Sequence, residues 1–236
     1  MCALSEPNLH IPDNVARVRG GIIAAADRAG RRAEDIVLVA ASKTVEPERI
    51  LLAAQAGSTD FCENYVQEAQ PKIARIGRDV RWHFVGHLQT NKAKPAVALF
   101  DVVQSIDSER IAVELNRRAR AAGRRLDVLL EVNTSGEASK FGAAPEDALR
   151  LAEVVAGLED LALTGLMTIG RLGASPEEAR PCFVLLRRLF ERVWAQVGGD
   201  EMAWLSMGMS QDFEVAIEEG SNMVRVGTAI FGPRPQ

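Results

Sequence analysis

The sequence has little that would support a disulfide framework or a metal centre. Its three cysteines, Cys2, Cys62 and Cys182, are widely spaced and form no CxxC motif. An odd number of scattered cysteines indicates neither paired disulfides nor a zinc site, and no group of residues has the spacing of metal ligands. We therefore expect no metal site and a reducing environment.

Long apolar runs and blocks of like charge are also missing. No stretch approaches the roughly 18 apolar residues of a membrane-spanning helix, and the first thirty residues lack a basic segment followed by an apolar one. The 28 basic and 32 acidic residues give a net charge of −4, so no basic surplus points to nucleic acid. We expect a cytoplasmic protein without nucleic-acid or membrane partners.

What is present is an alternation of short apolar runs with segments of helical period. The chain has 236 residues, close to the roughly 250 typical of a (β/α)8 barrel. Because the alternation favours parallel strands with right-handed crossovers, we predict one α/β domain over 1–236, closed as a TIM-type barrel. A further helix is predicted before the first strand, at about 14–29, and a flexible terminus at 1–12. The eight predicted strands are 36–42, 59–63, 80–86, 101–106, 126–133, 161–167, 203–208 and 223–227.

The first apolar run ends in a lysine rather than in a turn residue. In "IVLVAASKT", six apolar residues are followed by Ser42 and then Lys43. Active sites of such barrels lie where strands end, so Lys43 is either a solvated end cap or a functional amine. Burial disfavours the charged form of an amine, and a neutral amine can form a Schiff base with an aldehyde.

The last two runs end in glycines and hydroxyl residues, in "LSMGMS" and "RVGTAIFG". Loops after strands seven and eight of such barrels often bind phosphate. Gly227 allows close backbone approach, and Ser206 and Thr228 offer hydroxyl groups. Asp212 is interpreted as a first-turn acid of a helix capped by Ser210. A phosphate site beside an amine favours a phosphorylated carbonyl ligand, and pyridoxal 5′-phosphate (PLP) carries both groups.

Seven motifs run in order through the chain from about residue 36 to 232: "VAASKTVEPERI", "DFCENYVQEAQPK", "WHFVGHLQTNKAK", "QSIDSERIAVEL", "EVNTSGEASKFG", "LTGLMTIG" and "LSMGMSQDFEVAIEEGSNMVRVGTAIFG". Together they resemble the YggS/PROSC family of PLP-binding homeostasis proteins. The resemblance implies a PLP-bearing barrel similar to the N-terminal domain of alanine racemase, without that enzyme's second domain.

The resemblance also implies roles for matching positions. Lys43 would hold PLP covalently as an aldimine, and Arg225 would approach the pyridine nitrogen. Ser206, Gly227 and Thr228 would bind the phosphate.

Further implied positions surround the ring. Asn64 would line the pocket near it, and Met207 would contact its face. His83 would lie near the ligand, although a histidine inside the barrel is also explained by a purely structural role. Lys140 matches a loop lysine with a secondary, transient role in PLP handling. Cys62 departs from the glycine that the family more often has before "ENY".

The presence of Arg225 indicates that the protein binds PLP without catalysing a reaction. A permanently cationic guanidinium beside the pyridine nitrogen disfavours its protonation, and the single tyrosine, Tyr65, leaves few candidates for a second acid or base. We therefore expect a monomeric, non-enzymatic protein that buffers PLP and passes it to apo forms of PLP-dependent enzymes. The alternatives are a PLP-dependent amino-acid racemase and an aldolase-like barrel that uses Lys43 directly on a sugar phosphate.

Overall fold

Eight parallel strands close into a barrel in the computed structural model, which describes residues 10–171, 173–197, 199 and 201–233. Strand order follows chain order, and β8 closes the barrel by pairing with β1. The predicted α/β barrel is therefore confirmed. The strands are β1 (Val37–Ala41), β2 (Asp60–Glu63), β3 (Arg81–Phe84), β4 (Val102–Ile106), β5 (Leu126–Glu131), β6 (Leu161–Met167), β7 (Trp204–Ser206) and β8 (Met223–Val226).

Helices surround the sheet, and each strand is followed by one. An additional helix precedes β1, as predicted. The helices are α1 (Ile11–Arg28), α2 (Pro47–Gln55), α3 (Val66–Ile76), α4 (Ala93–Leu99), α5 (Glu109–Ala121), α6 (Ala148–Ala156), α7 (Pro176–Gln196), α8 (Phe213–Glu218) and α9 (Thr228–Phe231). Short 3-10 turns lie at Ala33–Asp35, Thr90–Lys92 and Pro145–Asp147.

The additional helix α1 packs against α8, α9 and α2, the helices that follow β7, β8 and β1. Its buried face repeats at helical spacing and includes Val15, Val18 and Ile22. Of the terminus predicted to be flexible, residues 1–9 lie outside the described residues. Ile11, which is fully buried, and Pro12 instead begin α1.

Alternation along each strand separates two cores. Trp82 and Phe84 belong to the large core between sheet and helices, whereas His83 between them points into the barrel and bonds to Gln104 of β4. Inside the barrel the apolar clusters are small, such as the group of Val39, Cys62, Val85 and Met223. The interior therefore has room for a line of polar side chains.

Candidate functional site

The turn that carries Lys43 follows the carboxyl end of β1. Lys43 is half-buried, and the next residue, Thr44, has a φ of 62°. That left-handed conformation is uncommon for a β-branched residue. The backbone N–H of Thr44 donates to the carboxylate of Glu68 on α3. Glu68 therefore stabilises a turn conformation that a threonine does not itself favour.

A largely buried group of polar and charged side chains lies beneath this turn, and we call it the lysine cluster: Ser42, Glu63, Glu68 and Lys72. The Lys72 ammonium donates to the Ser42 carbonyl at 2.8 Å, to Glu63 at 2.9 Å and to Glu68 at 2.6 Å. The Ser42 hydroxyl donates to Glu63 at 2.7 Å. Burial raises the pKa of Glu63, while Lys72 and Ser42 oppose that shift. The cluster fixes the backbone on both sides of Lys43.

Lys72 is a site residue that sequence reasoning missed. Its side chain is only 7% exposed, unusual for a lysine. One signal was available, because Glu68 and Lys72 stand four residues apart and can pair on one face of a helix. Nothing in that spacing, however, indicates that the pair is buried against β1 and β2.

The last strand brings the predicted phosphate loop to Lys43. Since Val39 pairs with Arg225 and Ala40 with Val226, Gly227 lies beside the end of β1. A Cβ on Gly227 would come within 3.2 Å of the Ala41 carbonyl oxygen and 3.3 Å of its Cβ, a tight approach that favours glycine. The residues that line the resulting cleft are Ala41, Lys43, Thr44, Val45, Arg49, Gly227, Thr228, Phe231, Gly232 and Pro233.

Ser210, rather than Ser206, contacts this loop. Its hydroxyl accepts the backbone N–H of Gly227 at 3.2 Å and that of Ala229 at 3.3 Å. The prediction that Ser210 caps the next helix is wrong, since α8 begins at Phe213 with Asp212 as its N-cap residue. The second serine of "LSMGMS" was the signal for this contact.

Ser206 lies deeper and contacts Arg225. It is fully buried, donates to Gln104 Oε1 at 2.7 Å and accepts from Arg225 Nη1 at 2.5 Å. Arg225 also donates to the Thr168 carbonyl at 2.7 Å. β7 ends at Ser206, and its inward hydroxyl is hydrogen-bonded to Gln104 and Arg225, so the phosphate contact of Ser206 stays a prediction.

Met207 follows Ser206 and points the other way. Its side chain is fully buried within the core between sheet and helices. This packing is that of a core methionine, and the contact of Met207 with a ring face stays a prediction.

A second cleft of about 490 Å³ lies at the carboxyl ends of β2 and β3. Asn64, Tyr65, His87 and Glu131 line it. The cleft that contains Lys43 is lined by other residues, and the place of Asn64 near a bound ring stays a prediction. The imidazole of His87 stacks on Phe141 with ring centroids 4.0 Å apart. Asn64 and Lys43 follow neighbouring strands, which places the two clefts side by side.

His83 and Lys140 are both engaged in internal contacts. His83 is fully buried inside the barrel, with Nε2 2.9 Å from Asp60 and Nδ1 2.9 Å from Gln104. These contacts match the structural interpretation of His83. Lys140 donates to the Gly170 carbonyl at 2.6 Å and forms an ion pair with Glu137. It lines a smaller cleft together with Glu131.

Two buried ionisable groups have strongly shifted pKa values. Burial raises the pKa of Glu131 to about 7, with Asp107 adding to the shift and Arg225 opposing it. Burial likewise raises the pKa of the Cys62 thiol to about 12, so this cysteine stays protonated and unreactive at neutral pH. Burial lowers the pKa of Arg225 from 12.5, but a guanidinium remains charged in proteins.

The described residues include no group of histidine, cysteine and acidic side chains placed to hold a metal ion. Within the same residues, none of the helices combines the length and apolar character needed to cross a bilayer.

Known proteins resemble this chain both in sequence and in fold. The family model described as "Alanine racemase, N-terminal domain" matches residues 24–235. The pyridoxal phosphate homeostasis protein of Pseudomonas aeruginosa is 44% identical over 225 residues, covering 95% of this chain and 96% of that protein.

Two solved structures resemble this chain in fold. PipY of Synechococcus elongatus with PLP bound is 32% identical, with a TM-score of 0.82 over 94% of this chain and all of that one. Alanine racemase of Clostridium difficile shares the fold, with 17% identity and a TM-score of 0.73 over 95% of this chain and 57% of the enzyme.

Proposed function

The chain belongs to the family of pyridoxal phosphate homeostasis proteins, within the group that shares the alanine racemase N-terminal domain, and on that premise we propose that it binds PLP on Lys43 and buffers it without catalysis. The observation that carries the proposal is the shared cleft of Lys43, Gly227 and Thr228 at the seam between β1 and β8. A relative of the same fold, PipY, is described with PLP bound.

The residues of the cleft suit a ligand with an aldehyde and a phosphate. The Lys43 amine would hold the aldehyde as a Schiff base, a condensation that releases water. The phosphate would lie at the Gly227 loop, beside Thr228. The Ser210 hydroxyl holds this loop by accepting the backbone N–H groups of Gly227 and Ala229. The close approach of Gly227 to Ala41 leaves this loop without a side chain that would fill the space.

Arg225 accounts for binding without catalysis. Its buried guanidinium is held by Ser206 and Thr168 and lies near the pyridine nitrogen in our proposal. A cation there disfavours protonation of the ring nitrogen, so the bound ring stabilises carbanions poorly. Tyr65, the single tyrosine, is 65% exposed at the rim of the second cleft, whereas Lys43 lines the first.

Reversible bond formation at Lys43 provides the buffering. Lys43 would keep the aldehyde from other amines, and hydrolysis would release it again. The acceptors that we propose are apo forms of PLP-dependent enzymes, and the protein acts in the cytoplasm as a monomer.

Retention of PLP tests the binding site. We expect protein incubated with PLP and then desalted to keep a visible absorbance band, and Lys43→Ala to lose it. Lys94→Ala, which removes an exposed lysine of α4, is the matched control and should retain the band. Absence of retained PLP in the unmodified protein would overturn the proposal.

Hydrogen exchange at the α-carbon of amino acids tests the absence of catalysis. In deuterated solvent, the PLP-loaded protein should exchange α-protons no faster than free PLP at the same concentration. A clear excess over free PLP, abolished in Lys43→Ala, would instead establish the racemase-like alternative.

A further inference from the structure

A line of hydrogen bonds crosses the inside of the barrel, and we call it the barrel chain: Arg225, Ser206, Gln104, His83 and Asp60. Its four contacts measure 2.5 Å, 2.7 Å, 2.9 Å and 2.9 Å in that order. His83, Gln104 and Ser206 are each completely buried. Asp60 begins β2 and lines a cleft at the amino end of the barrel. The barrel chain therefore joins that end to Arg225 at the mouth.

The donors of the barrel chain all point in one direction. A guanidinium can only donate, so the Ser206 hydroxyl accepts from Arg225 and donates its own proton to Gln104 Oε1. The amide nitrogen of Gln104 then faces His83 Nδ1, and it also lies 3.2 Å from the Met223 sulfur, a second acceptor.

This direction fixes the tautomer of His83. Because an amide nitrogen only donates, Nδ1 must accept, and the ring proton must be on Nε2, from which it is donated to Asp60. Burial would raise the pKa of Asp60, but hydrogen bonds from His83 and Thr59 hold that pKa below its usual range. The barrel chain thus ends on an ionised carboxylate.

Protonation of His83 is incompatible with this arrangement. A second ring proton would be on Nδ1 and would face the amide N–H groups of Gln104. Gln104 would then have to turn its amide, offering oxygen to His83 and nitrogen to Ser206. Ser206 would receive two donors and would need another acceptor for its own proton, so the contact that orients Arg225 would change.

We propose that Gln104 and His83 are positioning residues for Arg225, and that the barrel chain transmits the protonation state of His83 to the guanidinium at the barrel mouth. The consequence for the cofactor rests on the proposed function, because it requires PLP beside Arg225. Burial lowers the pKa of His83 despite the neighbouring Asp60, so the neutral arrangement is the one present at pH 7. The charged and titratable groups around the imidazole are Asp60, Cys62, Arg81 and Asp101, with Asp127 paired to Arg81 at 2.5 Å.

The state of the ring can be measured without PLP. Nitrogen-15 NMR of the imidazole signals distinguishes the two neutral tautomers and the charged form. The chain has three histidines, so the His83 signals are assigned by their loss in His83→Asn. We expect the Nε2–H tautomer at pH 7, with a protonation midpoint below 6.5, the ordinary pKa of histidine. A neutral ring with its proton on Nδ1 would overturn the proposal.

Two substitutions at Gln104 then test transmission. Gln104→Leu removes donor and acceptor together, and we expect PLP to bind up to about tenfold more weakly at pH 8, since one buried hydrogen bond no longer orients the Ser206–Arg225 pair. Gln104→Glu places a carboxylate beside Nδ1, which should raise the protonation midpoint of His83 above that of the unmodified protein. The matched control is Ser105→Ala, on the same strand and equally buried but outside the barrel chain.

The decisive readout is the pH dependence of PLP affinity relative to the control. Imine formation itself depends on pH, so each variant is compared with Ser105→Ala. We expect the unmodified protein and Ser105→Ala to share an additional loss of affinity where His83 titrates, Gln104→Leu to lack it, and Gln104→Glu to show it at higher pH. Identical profiles in all four proteins would overturn transmission. If none of the four proteins binds PLP, the proposed function is wrong, and so is the positioning of a cofactor by Arg225. The NMR result still decides whether the barrel chain exists.

Discussion

Two buried polar networks reach the barrel mouth from different sides. The lysine cluster lies between the sheet and α3, within a few residues of Lys43, and holds the backbone of that turn through full charges. The barrel chain lies inside the barrel and holds the side chain of Arg225 through mostly neutral groups. The two networks therefore have different roles. The charges of the lysine cluster fix one local geometry, whereas the neutral donors and acceptors of the barrel chain can exchange roles along its whole length.

The lysine cluster should be the more costly of the two to break. Lys72→Met leaves Glu63 buried without its cation, and we expect a loss of about 3–5 kcal/mol in the free energy of unfolding. Urea unfolding of the PLP-free protein at pH 7 measures it. Adding Glu63→Gln to Lys72→Met should recover part of the loss, because the uncompensated charge is then gone. A loss below about 1 kcal/mol, the size typical of an exposed pair, would show that the cluster is not a buried ionic one.

Glu131 belongs to neither network and is a contrasting case of a buried acid. One of its carboxylate oxygens is buried without a hydrogen-bond partner among the described residues. Its pKa is raised from 4.5 to about 7, so its stabilising contribution is complete below pH 4.5 and is lost as the pH rises through 7. We expect Glu131→Gln to be more stable than the unmodified protein by about 3 kcal/mol at pH 8.5, the free energy equivalent of that pKa change.

At pH 4.5 the same two proteins should unfold at similar urea concentrations. The exposed Glu153→Gln on α6 is the control, and it should match the unmodified protein at both pH values. A Glu131→Gln protein that is less stable at pH 8.5 would mean that the carboxylate is ionised and well solvated.

The barrel chain should tolerate neutralisation of its terminal acid. In Asp60→Asn the amide oxygen still accepts from His83, and the Thr59 hydroxyl, 2.8 Å from the other oxygen, can accept from the new amide nitrogen. We expect a loss of only about 1 kcal/mol at pH 7, measured by urea unfolding. Since the pKa of Asp60 is lowered in the fold, its contribution is present above pH 3.8 and fades as the pH falls, so the difference should shrink in acid. A loss as large as that of Lys72→Met would remove the contrast between the two networks.

The smallest expected effect is at Thr44, and it has opposite signs for stability and binding. Glycine adopts the positive φ of this position at low cost, so Thr44→Gly should be more stable by about 0.5–1 kcal/mol. The freer turn should hold Lys43 less firmly, and PLP binding should weaken severalfold. Thermal unfolding and PLP titration of the same samples measure both, and a gain in both would show that the strained turn does not serve binding.

Most of the barrel could be predicted because its signals are local. Each strand is a short apolar run, and Lys43 and Gly227 follow two such runs directly. The choice between Ser206 and Ser210 was not local, because it depended on where β7 ends. The predicted run 203–208 extends past the observed Trp204–Ser206. Lys72 and Gln104 escaped prediction since their partners lie on other strands and only the folded chain brings them together.

The most direct test of the account is the site of covalent PLP attachment. The PLP-loaded protein is reduced with borohydride, digested and mapped by mass spectrometry. We predict a pyridoxyl adduct on the peptide that contains Lys43, and its absence from the peptides that contain Lys72, Lys94 and Lys140. A principal adduct on Lys140, or on any lysine other than Lys43, would contradict the assignment of the cleft between β1 and β8 as the PLP site.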